Sequence, residues 1–220
     1  MEPYDRTQPW WIVVENVVSM QRWHAYEDWL SRLKGVGYNA VEAKLDASDY
    51  GVSQSRRRLF VICDRDREPT EPAKRPGRKR SVRSILKSAG NSNGYSFNFS
   101  PLLGNGRARP TLARARRAIK ELGKHEPFLI VYYGSDAAGG WQSLDRPLRT
   151  ITTLDRFALV KPSSSGHEMR MLQPPELAAA MGFPDNYRWP ETNRRNKIRL
   201  IGNAVSPLVM KAILEHLTSD

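Results

Sequence analysis

The sequence offers little thiol chemistry, because it contains a single cysteine, Cys63, among 220 residues. One thiol cannot close an intrachain disulfide, and it excludes a zinc site built on two or more cysteines. The four histidines are scattered, and the sequence has neither a P-loop nor a His-Glu-x-x-His motif. We therefore expect no metal site and a reducing environment.

Long hydrophobic runs are also missing. The longest apolar run, residues 128–133, has six residues, whereas a helix that crosses a bilayer needs about 20. The first residues, Met1–Asp5, are acidic and polar, which is unlike a signal peptide. The sequence therefore predicts a cytoplasmic protein with no membrane partner.

Acidic residues are in short supply. The chain has 23 Asp and Glu against 35 Lys and Arg, which gives a net charge of +12. Such an excess is typical of proteins that bind a polyanion, most often nucleic acid, although a merely soluble basic surface gives the same count. The basic residues are clustered, and the segment Lys74–Arg83 holds six of them and no acid. With 40% apolar residues the chain can still build the core of one large domain, or of one domain and a small second one.

The first 63 residues alternate short apolar runs with an amphipathic segment, a pattern typical of an α/β sheet. We predict strands at 10–14, 39–46 and 58–63 and a helix at 21–34. Gly35–Ala40 matches G-x-G-x-x-A, but it follows a helix and precedes a strand. Since a cofactor loop needs the opposite order, we interpret these glycines as a helix end.

The composition changes after residue 63. Residues 64–84 contain three prolines and many charges, so we predict a linker or mobile loop there. Further along, the pattern predicts helices at 110–122, 174–181 and 206–217, strands at 127–133 and 156–160, and a flexible loop at Gly134–Gly140.

Two polar clusters stand at strand ends. Glu15-Asn16-Val17 follows an apolar run, and a glutamate there can act as a general acid if burial raises its proton affinity; a capping role is equally compatible. Gln54 begins a turn that feeds three arginines into a strand. Because alternate strand residues share a face, Arg56 and Arg58 are expected on one side, where two guanidinium groups suit a phosphate or a base carbonyl. A surface arginine ladder is the alternative.

Four motifs, taken in chain order, resemble the later motifs of the DNA (cytosine-5)-methyltransferase family. They are Glu15-Asn16-Val17, Gln54-x-Arg56-x-Arg58, Arg146-Pro147-x-x-Thr150 and Gly202-Asn203-Ala204-Val205-x-Pro207. Residues 47–52, 149–153, 170–176 and 181–184 are similar to the family as well. The resemblance covers nearly the whole chain, and the order of its motifs makes it specific.

The resemblance implies an enzyme that flips a cytosine out of duplex DNA, attacks C6 with a cysteine thiolate and transfers a methyl group from S-adenosylmethionine to C5. Glu15 would hold and protonate cytosine N3, and Asn16 would brace that strand end and the catalytic loop. Arg56 and Arg58 would contact the flipped nucleotide, Arg58 on its O2 side, with Gln54 assisting at the turn.

Other positions take their roles from the same resemblance. Asn203, Ala204 and Val205 would line the methyl-donor pocket, while Arg146 and Thr150 would anchor the target-recognition region. The basic residues expected to bind double-stranded DNA in that region are Arg78, Lys79, Arg80, Arg114 and Arg117. A solvated basic loop is the alternative for these segments.

The implied fold is the C-terminal part of a class I, Rossmann-like methyltransferase sheet plus a small target-recognition domain. Residues 1–63 would belong to the catalytic α/β domain, residues 64–145 would form the target-recognition region, and residues 146–220 would return to the catalytic domain and end in a helix.

Two family features are not found in this sequence: the Gly-rich methyl-donor loop and the Pro-Cys nucleophile. Cys63 lies in a predicted buried strand and is expected to be structural. We therefore expect one subunit of a split, nucleoid-associated enzyme, inactive alone, whose complementary methyltransferase chain supplies both features and shares S-adenosylmethionine across a large apolar interface. A non-catalytic DNA-binding module and an inactive remnant remain as alternatives.

Overall fold

The computed structural model describes residues 9–92, 94–103, 106–133 and 139–219, which form a mixed α/β fold. Its strands are β1 (Trp11–Asn16), β2 (Asn39–Asp46), β3 (Arg57–Asp64), β4 (Asn91–Ser92), β5 (Tyr95–Ser96), β6 (Ser100–Pro101), β7 (Phe128–Val131), β8 (Trp141–Ser143), β9 (Phe157–Ser163) and β10 (Gly166–Met171). Its α-helices are α1 (Tyr26–Gly35), α2 (Arg109–Leu122), α3 (Pro174–Ala180), α4 (Arg194–Asn203) and α5 (Pro207–Thr218). Short 3-10 helices cover Val18–Arg22, Ala47–Tyr50 and Val82–Ile85.

A three-stranded antiparallel sheet carries the first part of the chain, with β3 between β1 and β2. Side chains on β3 alternate between two cores because a strand has a period of two. Leu59, Val61 and Cys63 pack with α1, whereas Phe60 and Ile62 pack with α5. The three strands expected here are therefore confirmed.

The predicted helix at 21–34 begins later than expected. Residues Val18–Arg22 form a 3-10 helix, and α1 begins only at Tyr26, with Glu27 and Asp28 in its first turn. Acidic side chains are favourable there because they face the positive end of the helix dipole. The turn after α1 contains Gly37 with a φ of 94°, which confirms that these glycines end a helix.

A five-stranded antiparallel sheet, in the order β6-β10-β9-β7-β8, forms the second half of the core. Helix α2 covers one face, and residues of α3 and α4 pack in the core on the other. The boundary expected at residue 145 falls inside this sheet, because β9 and β10 pair with strands that precede it. β9 is the middle strand of the five, and its first four residues, Phe157–Val160, are all buried. Neither β10 nor α4 was predicted from the sequence.

The proline-rich stretch after residue 64, expected to be a linker or mobile loop, is a strap that hydrogen bonds hold against the first sheet and α5. The Arg67 guanidinium donates to the Ser219 carbonyl over 2.7 Å, which holds the stretch against the end of α5. Farther along, Tyr50 donates its hydroxyl proton to the Pro72 carbonyl over 3.1 Å, and the Arg75 amide donates to the Asp49 carbonyl over 2.9 Å. These partners are distant in sequence, so local composition did not indicate them.

A buried ion pair links the second sheet to α3. Arg170 donates to both oxygens of Glu176 over 2.7 and 2.8 Å, and the two side chains are 3% and 0% exposed. The same carboxylate accepts from the amides of Lys87 and Gln173. A bidentate pair with these extra donors satisfies charges that would otherwise be costly to bury.

Three segments from different parts of the chain meet between the two sheets: residues 53–56, 148–152 and 202–206. We call this region the junction. The Ser55 amide donates to the Leu148 carbonyl and the Leu148 amide to the Ser53 carbonyl, each over 2.8 Å. Gly202 lies so close to Thr152 that an added Cβ would be 2.2 Å from the Thr152 carbonyl oxygen.

Replacing Glu176 with alanine should destabilise the protein by about 3–5 kcal/mol, because Arg170 would become an uncompensated buried charge. The free energy of unfolding, measured by chemical denaturation, tests this. Glu168→Ala is the matched control: Glu168 lies on the same strand as Arg170, but its partner Lys161 is 3.8 Å away and half-exposed. The control should cost less than about 1 kcal/mol. Equal losses in both variants would contradict a structural role for the buried pair.

Replacing Gly202 with alanine should cost about 1–3 kcal/mol, because the new methyl group would force the 152–153 backbone away from α4. Gly35→Ala is the control, since Gly35 also lies in a helix and nothing stands within 4 Å of its added Cβ. That change should be neutral or stabilise by up to about 1 kcal/mol. Thermal unfolding of the two variants compares them; a stable Gly202→Ala protein would show that the junction is loosely packed.

Candidate active site

Glu15 and Arg58 meet at one end of the three-stranded sheet. Glu15 is the penultimate residue of β1 and pairs in register with Phe60, so Arg58, two residues before Phe60, lies diagonally across on the same face. The Arg58 Nε atom is 3.1 Å from the Glu15 Oε1 atom, and the two side chains are 18% and 17% exposed. The structure therefore brings together two of the residues singled out in the sequence.

The pair is mostly buried, and the Glu15 Oε1 atom has no solvent contact, but its hydrogen-bonding capacity is not used up. Glu15 Oε1 forms this ion pair but accepts no hydrogen bond from the described residues. A carboxyl group can donate one proton and accept another hydrogen bond, and the neighbouring guanidinium has several N–H donors. This arrangement suits a planar ligand that offers an acceptor nitrogen, an amine and a carbonyl on one edge.

The Arg56 side chain is buried inside the protein, whereas the Arg58 side chain is partly exposed. Its side chain donates to the Ile151 carbonyl over 3.2 Å and to the Gly202 carbonyl over 3.0 Å. Burial, reinforced by the nearby Arg58 and opposed by Glu15, lowers the pKa of Arg56 to about 10. The prediction that Arg56 and Arg58 share a face fails because Arg56 precedes β3, which begins at Arg57, so the alternation of strand side chains does not apply to it. Arg56 therefore supports the junction instead of presenting an open cationic group.

Gln54 and Thr150, expected to bind DNA, are also part of the junction. Gln54 is fully buried, and its Oε1 atom accepts from the Ile151 amide over 3.2 Å. The Thr150 hydroxyl donates to the Ser55 carbonyl over 2.9 Å. Arg146 has an exposed side chain, and its carbonyl accepts from the Val82 amide over 3.0 Å. Gln54 and Thr150 therefore connect the arginine turn to the segment before β9, whereas Arg146 contacts the 3-10 helix that begins at Val82.

Asn16 makes a local contact. Its exposed side chain accepts from the next amide, Val17, over 2.8 Å, and so shapes the turn directly after Glu15. This contact is a brace at the strand end. No described contact links Asn16 to another loop.

The segment after α4 bridges the two cores. Asn203 ends the helix with an exposed amide, Ala204 packs against the core of the second sheet and Val205 against that of the first. The Ser206 hydroxyl then donates to the Met181 carbonyl over 2.9 Å. The Asn203 amide suits a neutral polar group of a ligand, but this segment supplies no charge.

The basic stretch of the strap is partly neutralised. Lys79 lies 2.5 Å and Lys74 3.2 Å from the carboxylate oxygens of Asp49, and these cations lower the pKa of Asp49. Arg78 and Arg80 are exposed. Of the three residues expected here to contact DNA, Lys79 therefore has an acidic partner already.

Arginines surround the two stems of the loop between β7 and β8, whose residues 134–138 lie outside the described part of the chain. Arg114 lies 5.4 Å from the centre of the Tyr132 ring, and Arg117 donates to the Gly139 carbonyl over 3.0 Å. Arg149 and Arg156, which the sequence analysis did not assign a role, donate to the carbonyls of Trp141 and Tyr132. No sequence signal shows this convergence, because it depends on how the strands pair.

Cys63 is a buried residue of the sheet core. It is 0% exposed, burial raises the pKa of its thiol, and it pairs in register with Ile12. Cys63 lies three residues beyond Phe60, the register partner of Glu15, which places it roughly 10 Å along the strand. An inaccessible, protonated thiol at that distance cannot act with Glu15.

Asp46 is a residue that the sequence analysis missed. Its carboxylate accepts hydrogen bonds from Ser48, Ser55 and Arg56 at the start and end of the turn that leads into β3. The spacing Asp46-x-Ser48 is that of an Asx turn, which is the signal available in the sequence.

Within the described ranges, no group of three His, Cys, Asp or Glu side chains is arranged to hold a metal ion. The helices in those ranges are also too short or too polar to cross a membrane.

Comparison with known proteins adds independent information. The family model for C-5 cytosine-specific DNA methylases matches residues 4–219. Type II methyltransferase M.FnuDI of Fusobacterium nucleatum is 25% identical over 96% of this chain and 66% of its own length. The tRNA (cytosine(38)-C(5))-methyltransferase of Schizosaccharomyces pombe is 22% identical over 98% of this chain and 66% of its own. M.HindV of Haemophilus influenzae is 35% identical over 41% of this chain and 30% of its own. The chain thus spans two thirds or less of the length of these relatives.

Solved structures show the same fold. The Entamoeba histolytica methyltransferase EhMeth superposes with a TM-score of 0.64 at 17% identity, covering 98% of this chain and 64% of its own. The Dnmt2 methyltransferase of S. pombe gives a TM-score of 0.60 at 17% identity, covering 96% of this chain and 66% of its own. Because the family model spans nearly every residue, from the Glu15 strand to the last helix, this chain belongs to the C-5 cytosine-specific DNA methylase family.

Proposed function

We propose that this chain is the base-binding and DNA-reading part of a DNA cytosine-5 methyltransferase, completed by a second polypeptide that carries the catalytic cysteine. The observation that carries the proposal is the Glu15–Arg58 pair, which is assembled and keeps 17–18% side-chain exposure, while Cys63 is fully buried far from it. The chain has the groups that hold and protonate a base, but its own thiol is in the wrong place.

Glu15 binds the flipped cytosine through its Watson–Crick edge. Its protonated carboxyl donates to N3, and the second oxygen accepts from the exocyclic amine, so that proton transfer to N3 makes C6 electrophilic. Arg58 donates to the base carbonyl at O2 and restrains the Glu15 side chain over 3.1 Å. Arg56 acts indirectly, by fixing the turn that leads into β3.

The methyl donor, S-adenosylmethionine, supplies the electrophilic methyl group for C5 when it is bound. The Asn203 amide and the backbone of Ala204 and Val205 are suited to hold a neutral part of it beside the junction. Since these residues include no charged group, the complementary chain contributes the remainder of the donor site.

The free edge of β1 is the docking site for the complementary chain. Among the described strands, β1 pairs only with β3. The Arg65 amide donates to the Trp10 carbonyl, so by antiparallel alternation the backbone groups of Trp11, Val13 and Glu15 point away from β3. A strand added there would bring its own residues directly beside Glu15.

Exposed apolar side chains lie close to β1 in sequence. Trp10 is 50% exposed, and Val17 and Trp23, on either side of the short 3-10 helix after Glu15, are each 47% exposed. Large aromatic groups of this kind are enriched in the centres of protein interfaces. A third or more of the length of the relatives is missing from this chain, which leaves ample polypeptide to cover the surface.

DNA binds across the basic surface beside the site. The exposed Arg78 and Arg80 on the strap supply phosphate contacts, and the arginines at the stems between β7 and β8 add positive charge to the second sheet. One relative that covers nearly the whole chain is named a tRNA methyltransferase, so RNA is the competing substrate in the assay.

The chain co-expressed with a polypeptide bearing the Gly-rich loop and the Pro-Cys motif should transfer a methyl group to cytosine in duplex DNA. Glu15→Gln in that complex should lower kcat at least about 100-fold, because the general acid is lost, while DNA affinity changes little. Incorporation of labelled methyl groups and a DNA-binding isotherm measure the two effects.

The control is Glu27→Gln, an exposed acid of the first turn of α1, which should leave both quantities unchanged. No transfer by the wild-type complex to either DNA or tRNA would refute the proposal. Transfer by the isolated chain would refute the need for a second polypeptide. Full DNA binding with no activity in any combination would favour a non-catalytic targeting module.

Val13→Pro should block docking of the complementary chain without unfolding this one. Val13 directs its amide to the free edge, so proline removes a donor that β1–β3 pairing does not use. Association should weaken at least about tenfold, since the added strand would keep an unsatisfied acceptor. Val13→Ala, which loses the packing of the side chain but keeps the amide, is the matched control. Titration calorimetry compares them; equal affinities would show that the partner docks elsewhere.

A further inference from the structure

The carboxylate of Asp46 is the centre of a hydrogen-bond network at the end of β2. Oδ1 accepts from the Ser48 amide and the Ser48 hydroxyl over 2.9 Å each, and from the Arg56 amide over 3.2 Å. Oδ2 accepts from the Ser55 hydroxyl over 2.8 Å. One side chain therefore holds both ends of the connection between β2 and β3.

This network closes the turn that ends two residues before Arg58. Asp46 and Arg57 are partners in the β2–β3 ladder, and the Ala47 amide donates to the Arg56 carbonyl over 3.1 Å. Asp46 thus fixes Ser55 and Arg56 immediately before β3 begins. Arg58 follows Arg56 by two residues, about 7 Å along an extended chain.

A carboxylate is the group best suited to this position. All four contacts are donated to it, and an ionised carboxylate accepts on both oxygens without carrying a donor of its own; an asparagine would offer two N–H donors in place of one acceptor. Burial by itself would raise the pKa of Asp46, but the hydrogen bonds from Ser48, Ser55 and Arg56 outweigh it and lower the pKa. The group is ionised wherever the protein is folded near neutral pH.

The junction depends on the same turn. From the position that Asp46 gives it, Arg56 reaches the carbonyls of Ile151 and Gly202, while Ser55 binds Leu148 through its amide. A shift of the turn would therefore move the start of β3 and, with it, the Arg58 Nε atom that lies 3.1 Å from Glu15.

We propose that Asp46 is a positioning residue that sets the geometry of the Glu15–Arg58 pair through the turn at Ser55 and Arg56. It touches neither the base nor the methyl donor. Its structural effect is independent of the activity, whereas its effect on catalysis rests on the proposed methyltransferase function.

The structural effect is tested by NMR on the full chain, bound to its complement where that is needed for solubility. In Asp46→Ala the Arg56 amide should exchange with solvent about 10- to 100-fold faster, because a hydrogen bond to a charged acceptor is lost. The Arg58 Nε–H resonance should shift or broaden as the ion pair loosens. Asp46→Asn keeps an acceptor for the two amides and should give smaller changes of the same kind.

Asp49→Asn is the matched control. Asp49 lies in the same 3-10 turn, but its carboxylate contacts Lys74 and Lys79 on the strap. It should leave the Arg56 and Arg58 signals unchanged. If Asp46→Ala does not fold, Asp46→Asn and Ser55→Ala, which removes one donor at the end of the turn, carry the same test.

The catalytic effect is tested in the methylation assay. Asp46→Ala should lower kcat by about 10- to 100-fold with KM for DNA within about twofold, because misplacement of reacting groups affects the chemical step. Unchanged Arg58 resonances, or changes equal to those of Asp49→Asn, would overturn the proposal. Altered resonances with an unchanged kcat would overturn the catalytic role. A wild-type complex without activity would refute the proposed function instead, while the NMR result would still decide what Asp46 does.

Discussion

The Arg56 guanidinium links the turn before β3 to the segments around Ile151 and Gly202. This one side chain joins the turn before β3 to the carbonyls of Ile151 and Gly202, and so connects the three-stranded sheet to both segments of the chain that return to it. The contact demands a close approach, which explains why a glycine stands at position 202 against the Thr152 backbone. Because Arg56 is buried, loss of either carbonyl contact would leave N–H donors of a charged group without an acceptor.

Sequence patterns predicted those parts of the fold that depend on neighbours along the chain. The strands around Glu15 and Arg58 follow from apolar runs, and α2, α3 and α5 follow from proline at or near their first turns. The contact between Glu15 and Arg58 was anticipated only through the family resemblance. The burial of Arg56 was not anticipated, because alternation within a strand says nothing about a residue that precedes it.

The features that were not predicted from the sequence depend on contacts between distant parts of the chain. The strap after residue 64 has the composition of a solvated linker, yet its donors find carbonyls at Leu217 and Ser219, some 150 positions away. β9 was recognisable as a strand, but its place between β7 and β10 was not. Asp46 was overlooked because an acid in a polar turn looks ordinary until its four donors are seen around it.

The one-sided pairing of β1 has a consequence for self-association of the protein. A strand edge that has no partner within the described residues, and that begins beside the exposed Trp10, is a template for any extended segment, including the same strand in a second copy of this chain. Any segment that occupies this edge first would prevent such self-association.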